Sequence, residues 1–320
     1  MENAEDHHHS PQADVILRSA DGHDFRFYKC LLSLASPVFD TMFTLPQPSL
    51  SSSSPDSKDG LPVVELTETK PALQRLLGMY LPDYLEKDGK IASVDDWKEV
   101  FDAANKYEMK AAVKCLSWSL DSLAEAEPMR VFIVATQHGL NDAAQKAAFN
   151  TLKVPFGAWG VLPELEYVTG GDLQRLFQYH NACGKLASST LKNWYKVDKA
   201  YCWYSCSNRN TSCGTAWNGS FSVTDWWETF EKDLTVVLEK NPRGAAVEEG
   251  NIASQALVTA SKCDTCRTKA YADMERFRRE LAAKIDEETS KVSKKWIESN
   301  TIKTNLPICE PMQIVLESRS

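Results

Sequence analysis

The stretch from Asp14 to Phe43, DVILRSADGHDFRFYKCLLSLASPVFDTMF, leaves little room for more than one parse. Val15 and Leu17 fall on one face of a strand bounded by the polar Asp14 and Arg18, read as a half-buried strand. Asp21-Gly22 supplies a two-residue hairpin turn, because Gly tolerates positive φ. Phe25 and Phe27 resume the alternation. Leu31, Leu32, Ala35, Val38, Phe39, Met42 and Phe43 then recur at helical spacing. Ser36-Pro37 inside that run divides it into two helices, since Pro suits a first helical turn.

A chain of 320 residues has the length of two domains, and 43% apolar residues can bury a substantial core. The formal net charge of −8 disfavours a general nucleic-acid binder. From Lys262 onward Lys and Arg alternate with Asp and Glu, the pattern of a solvated helix face. No apolar run is long enough to span a membrane. The start, MENAEDHHHS, has no apolar signal core, and His7, His8 and His9 read as part of a polar tail. The expected location is therefore intracellular, cytoplasmic or nuclear. Nine cysteines in such a chain read as thiols or metal ligands rather than disulfides.

The opening block resembles a BTB/POZ domain. The residues that carry the resemblance are Asp14-Val-x-Leu17, Gly22-x-x-Phe25-x-x-x-Lys29-x-x-Leu32 and Ser36-Pro-x-Phe39-x-x-Met42-Phe43. Leu61 to Leu66 matches the third strand and Pro71 to Tyr80 the next helix. Val100 to Tyr107, with Cys115-Leu116 and Leu120, matches the last helix pair. Tyr28 stands where the family often has His. The Ser-rich insertion after Phe43 resembles the fungal branch of the family. Helices expected at Met129–Ala135 and Ala143–Leu152, joined at Gly139, resemble the BACK-type region that often follows BTB domains.

The expected fold class is α+β. Residues 1–12 form a tail, and residues 13–123 a BTB/POZ domain, a small sheet capped by helices with a mobile loop at 46–60. Residues 124–168 form a BACK-like helical extension, 169–300 a helical module rich in Cys, His and Trp, and 301–320 a second tail. Gly170-Gly171 breaks the chain, and Asp172 caps a long helix reaching Lys196. Residues 201–227, rich in aromatic, Asn, Ser and Gly residues, lack helical periodicity and read as a compact loop or hairpin. Thr224 or Asp225 caps a helix that ends at Asn241-Pro242. The final helix carries an apolar stripe of Tyr271, Met274, Phe277, Leu281, Ile285, Val292 and Trp296, which suits packing within the domain better than a coiled coil. Trp194, Trp203, Trp217, Trp226 and Trp227 read as the core of a module poor in aliphatics rather than a binding platform.

His180-x-x-Cys183 places two donors on one helical face. With Cys263-x-x-Cys266 it completes the four ligands that a structural zinc needs, as two close pairs far apart in sequence. Buried core cysteines are the bland alternative. The spacing leaves open which of Cys202, Cys206 and Cys213 takes part. The resemblance to fungal BTB proteins with Cys/His-rich C-terminal regions points to Cys206 as the extra ligand. A redox role for Cys263-x-x-Cys266 lacks the preceding strand that a thioredoxin-like unit has. Phosphate-cradling Gly loops, His-Glu-x-x-His and Gly-x-Ser-x-Gly are all missing. Asp95-Asp96, Glu248-Glu249 and Glu287-Glu288 read as solvated pairs.

The resemblance implies a non-catalytic interaction adaptor or scaffold, with Asp14, Lys29, Phe39, Met42 and Phe43 at the partner interface. It implies protein partners: a homodimer, or a cullin scaffold if the chain presents substrates to a ubiquitin ligase. Two departures bear on this. The cullin-binding class carries an apolar-x-Glu motif where this chain has Thr44-Leu45-Pro46-Gln47, and the polar N-terminal arm is short for a strand-exchanged dimer. The alternative is a transcriptional or chromatin regulator whose zinc module contacts nucleic acid, which the near balance of charge there disfavours. An enzyme rests only on the Cys/His cluster, and a zinc with four protein ligands has no open position for water.

Overall fold

The computed structural model describes residues 12–45, 57–81, 90–194, 200–208, 213–218, 221–249 and 251–300. Both expected tails therefore lie essentially outside the described residues, as does the loop expected at 46–60 up to residue 56. The chain divides into two units, Met1–Ala135 with Asp142–Tyr167, and Thr136–Asn141 with Val168–Ser320.

In the first unit, β1 (Val15–Arg18) pairs antiparallel with β2 (Asp24–Phe27), with Val15 opposite Phe27. Their connection is longer than a two-residue turn. The Ser19 N–H donates to the His23 carbonyl at 2.9 Å, and Ala20-Asp21-Gly22 form the loop, with Gly22 at φ 81°. This is the three-residue hairpin, in which the left-handed position falls on Gly. α1 (Lys29–Ala35) and α2 (Pro37–Thr44) are separated at Ser36, whose hydroxyl accepts from the Phe39 N–H and donates to the Tyr107 carbonyl. Ser36 thus caps α2 and ties it to a distant segment.

Part of the expected mobile loop is strand: β3 (Ser57–Lys58) pairs with β4 (Leu61–Glu65) across Asp59-Gly60. Both turn residues have positive φ, 56° and 77°, as a tight hairpin turn of this hand demands. β4 lies parallel to β1, giving the order β2-β1-β4-β3. α3 (Lys70–Gly78), α4 (Val94–Lys106) and α5 (Lys110–Ala126) complete this part of the unit. Leu17, Phe25, Leu76, Trp97 and Leu116 are buried in its core, and the Trp97 indole donates to the Leu116 carbonyl at 2.8 Å.

α6 (Pro128–Gln137), α7 (Asn141–Thr151) and a 3₁₀ turn at Pro163–Glu166 follow. Arg130 holds this region together. It donates to Asp95, Glu127 and Glu164, each at 2.6 Å, and Glu164 is buried. The guanidinium keeps the Glu164 carboxyl below its ordinary pKa. Asp95 and Asp96 are therefore not merely solvated: Asp95 pairs with Arg130 and Asp96 with Arg75.

The second unit is built on α8 (Gly170–Lys192). Its cap is Thr169, whose hydroxyl accepts the Asp172 N–H, so Gly170 and Gly171 begin the helix instead of breaking the chain. The aromatic segment becomes α9 (Cys202–Ser205) and a hairpin of β5 (Ala216–Asn218) and β6 (Phe221–Val223). Then come α10 (Asp225–Lys240), α11 (Gly244–Glu248), α12 (Ile252–Ala260), α13 (Asp264–Arg267) and α14 (Ala270–Asn300). α8 packs on α10 so closely that a Cβ at Gly184 would stand 2.6 Å from the Glu239 carbonyl oxygen.

Met274, Phe277, Leu281 and Ile285 of α14 are fully buried within this unit, as the stripe predicts. Tyr271 is 69% exposed and falls off it; the side chain of Trp296 lies outside the described residues. Trp203 stacks on Tyr201 at 4.4 Å and on Trp227 at 4.0 Å, with Phe277 edge-on to all three rings. Trp194, Trp203, Trp226 and Trp227 are thus core residues; Trp217 pairs in β5, but its side chain is outside the described residues.

Candidate metal centre

Four thiols converge beside this aromatic core: Cys206, Cys213, Cys263 and Cys266 lie with all sulfurs within 4.8 Å of one another. Cys206 is the C-cap of α9, and Cys213 follows it in the sequence. Gly214 then turns the chain at φ 65°, against the Asp225 carboxylate, where a Cβ would overlap. On the other arm, Cys263 is the N-cap of α13 and Cys266 sits inside it. Two sulfur pairs run between the arms, Cys206 to Cys263 at 3.7 Å and Cys213 to Cys266 at 3.6 Å. All four are buried.

These distances fit one tetrahedral ion. Zinc–thiolate bonds of about 2.3 Å place neighbouring sulfurs about 3.8 Å apart. A multi-iron cluster would push its thiolates further apart, because inorganic sulfide lies between them. The electrostatics fit as well. The neighbouring thiols, Cys202 foremost, and the Trp226 indole favour the ionised form of Cys266 against its burial and pull it down to about 5. Burial pushes Cys206 up to about 11 and Cys213 higher still. The cluster thus favours a thiolate at Cys266 and needs a cation before the others lose their protons. Asn208 donates its side-chain amide to the Cys263 sulfur at 3.8 Å, and the Ser207 and Thr265 hydroxyls join the two arms at 3.2 Å. Bound there, the ion would supply a cross-link.

The ligand set differs from the one read in the sequence. Cys206, Cys263 and Cys266 are brought together, and Cys213 joins them. His180 and Cys183 are not among the four that converge. They do share a face of α8, but it is the face of Leu176, Tyr179, Ala187 and Leu191, which is packed into the core. Burial lowers His180 to about 4 and raises Cys183 to about 12, so both are neutral there. The signal for Cys213 is the Gly that follows it.

In the first unit the expected interface residues have structural duties. Asp14 accepts the backbone N–H of Lys29 at 2.7 Å, at the start of α1, while the Lys29 ammonium lies 5.7 Å from the centre of the Phe43 ring. Phe39 is 2% exposed and stacks on Tyr107, so it belongs to the core of the protomer. Met42 and Phe43 are half-buried. A mainly apolar cleft of about 430 Å³ is lined by Leu31, Leu34, Ala35, Pro37, Tyr80 and Ala111, with Glu108 and Lys110 also in its wall. Leu34 on its rim is 86% exposed.

The family model of the BTB/POZ domain matches residues 5–122, so this chain carries a BTB/POZ domain, a protein-interaction module, as its N-terminal part. No curated protein matches the chain. No helix among the described residues is long and apolar enough to cross a membrane.

Proposed function

We propose that the chain is a non-catalytic adaptor, in which the BTB/POZ unit assembles with protein partners and the second unit is a helical module stapled by one structural zinc. The observation that carries the reading is the BTB/POZ domain at residues 5–122, with its exposed apolar cleft. Four thiolates fill a tetrahedral zinc and leave no position for water or substrate, which supports a structural ion. Within this reading, the chain works inside the cell, where thiols stay reduced, and the partner we favour is a cullin-type ligase scaffold.

A transcriptional or chromatin regulator is the second reading. It needs a basic face on the module. The charges of α14 instead pair with one another, Arg278 with Glu275 and Lys284 and Lys291 with Glu287 and Glu288. The test is co-purification of the full-length chain with partners from cell extract, followed by binding to a purified cullin scaffold. Retention of the scaffold is the expected result. Its absence, with chromatin proteins enriched, would replace the adaptor reading by the regulatory one.

A further inference from the structure

Between α10 and α12 of the second unit lies a groove of about 250 Å³, lined from Asp225 to Asp233 on one helix and from Ile252 to Thr259 on the other. Its floor is apolar: Trp226, Phe230 and Ala256 are all buried. One rim is acidic. Asp225, Thr229 and Asp233 follow at four-residue spacing, so they form a single row along α10. At 1.5 Å rise per residue the two carboxylates stand about 12 Å apart along the helix axis. The other rim is neutral. α12 reads IASQALVTA, without a charged residue, and offers the Gln255 amide and the Thr259 hydroxyl. Among the described residues neither Asp225 nor Asp233 has an ion-pair partner. Other acids of this unit are paired: Glu228 with Lys232, Asp264 with Arg267, Glu275 with Arg278 and Asp286 with Arg243. The helix dipole accounts for Asp225 in the first turn of α10, but not for Asp233 in its middle.

We propose that this groove docks a short, extended, basic segment of a partner protein. Charge complementarity selects the occupant. The walls hold two carboxylates and no cation, so they favour a positive guest and repel an acidic one. The net charge of −8 acts in the same direction at longer range. Extended chain advances about 3.3 Å per residue and turns every second side chain to the same face. Arginine or lysine residues four apart therefore meet both carboxylates, and the residue midway between them, an apolar one, lies over the floor. The aliphatic stems of the two basic residues lie along the groove while their heads stay at its mouth. Gln255 supplies donors and an acceptor to the segment's backbone. The site goes beyond the adaptor reading and needs neither the zinc nor the partner of the BTB/POZ unit, so either can fail alone.

The test selects short random peptides displayed on phage for binding to the full-length chain, with counter-selection on a double variant, Asp233→Asn with Thr259→Arg. The first change deletes a rim charge at an exposed position, and the second puts a cation on the opposite rim. Melting curves establish that the variants are folded; Asp233→Asn alone repeats the comparison if the double variant melts early. The expected result is enrichment of peptides with arginine or lysine four residues apart and an apolar residue midway. By fluorescence anisotropy their affinity falls about 5- to 10-fold in Asp233→Asn and further in the double variant. Citrulline in place of one arginine costs as much, and added salt weakens binding. Failure to recover any peptide that distinguishes the intact chain from the variants, or recovery of distinguishing peptides without the basic pair, would overturn the proposal and leave Asp225 and Asp233 as solvated surface charges.

Discussion

Replacing Cys213 by Ser, beside a matched Cys183→Ser, separates the ligand set assembled in the structure from the one the spacing suggests. The magnitude follows from the chain length that the ion would close. Cys206 and Cys263 are 57 residues apart. A cross-link closing such a loop removes roughly 4 kcal/mol of unfolded-chain freedom in the chain-entropy treatment. In a unit of this size, about 4 kcal/mol corresponds to a melting shift on the order of 10 °C. Zinc in a four-ligand site contributes on the order of 12 kcal/mol, so losing one ligand costs about 3 kcal/mol, or roughly 100-fold in affinity. The assay is thermal unfolding followed by tryptophan emission, with and without a zinc chelator, at buffered free zinc. With free zinc buffered above the Kd of the intact site and below that of the weakened one, the intact chain should lose about 10 °C in the second unit's transition on chelation, and Cys213→Ser should melt low with or without chelator. Cys183→Ser should keep the full chelator shift, with its own cost of about 1–3 kcal/mol for a hydroxyl in an apolar helix face. A chelator shift preserved in Cys213→Ser and abolished in Cys183→Ser would refute the four-cysteine centre. A shift under about 2 °C in the intact chain would remove the cross-link argument altogether.

Two further perturbations probe the frame around the centre. Gly184→Ala should destabilise the second unit by about 1–2 kcal/mol in denaturant melts, because the new methyl meets the Glu239 backbone and overpacking outweighs the helix-propensity gain of about 1 kcal/mol; a stabilised variant would mean that α8 and α10 do not approach so closely. His180 is held neutral by burial, at about 4 against an ordinary 6.5, so its contribution is complete above pH 6.5 and is lost as pH falls from 6.5 toward 4. The loss reaches roughly 3 kcal/mol at the acid end. It is measured as the difference in pH dependence between the intact chain and His180→Gln, and parallel curves would contradict it.

Much of the fold is legible in the sequence because it is periodic. Phe25 and Phe27 alternate with half-buried neighbours as the pattern predicts, whereas β1, expected to be half-buried, is buried on both faces because Ile16 is apolar as well as Val15 and Leu17; Met274, Phe277, Leu281 and Ile285 recur at helical spacing and are buried. The Ser36-Pro37 boundary is legible because capping is local chemistry. What escapes is the non-periodic chain. The strand at Ser57–Lys58 follows a Ser-rich run, and its signal was the Asp59-Gly60 pair, which can adopt the left-handed turn. Cys213 lies in a stretch of Asn, Ser and Gly where no periodicity says which way the chain folds back. His180 and Cys183 mislead for a definite reason. Spacing shows that two side chains share a face, but not whether that face meets an ion or a core. The neighbours Leu176, Tyr179 and Ala187 at the same helical spacing point to the core.

The interface residues carry the same lesson into function. Motif positions such as Asp14 and Phe39 match because the domain needs them to fold: Asp14 caps the backbone at Lys29, and Phe39 fills the core against Tyr107. A motif of that kind identifies the domain and says little about its partner. Side chains the fold does not consume include Leu34 on the rim of the cleft and Trp118 on α5, which is 64% exposed with the Lys114 ammonium 5.6 Å from its ring centre. The metal centre is the opposite case. Its sulfurs are buried, and under the zinc reading proposed above the chain itself would fill the coordination, so that the ion would serve function through the rigidity of the helices it joins.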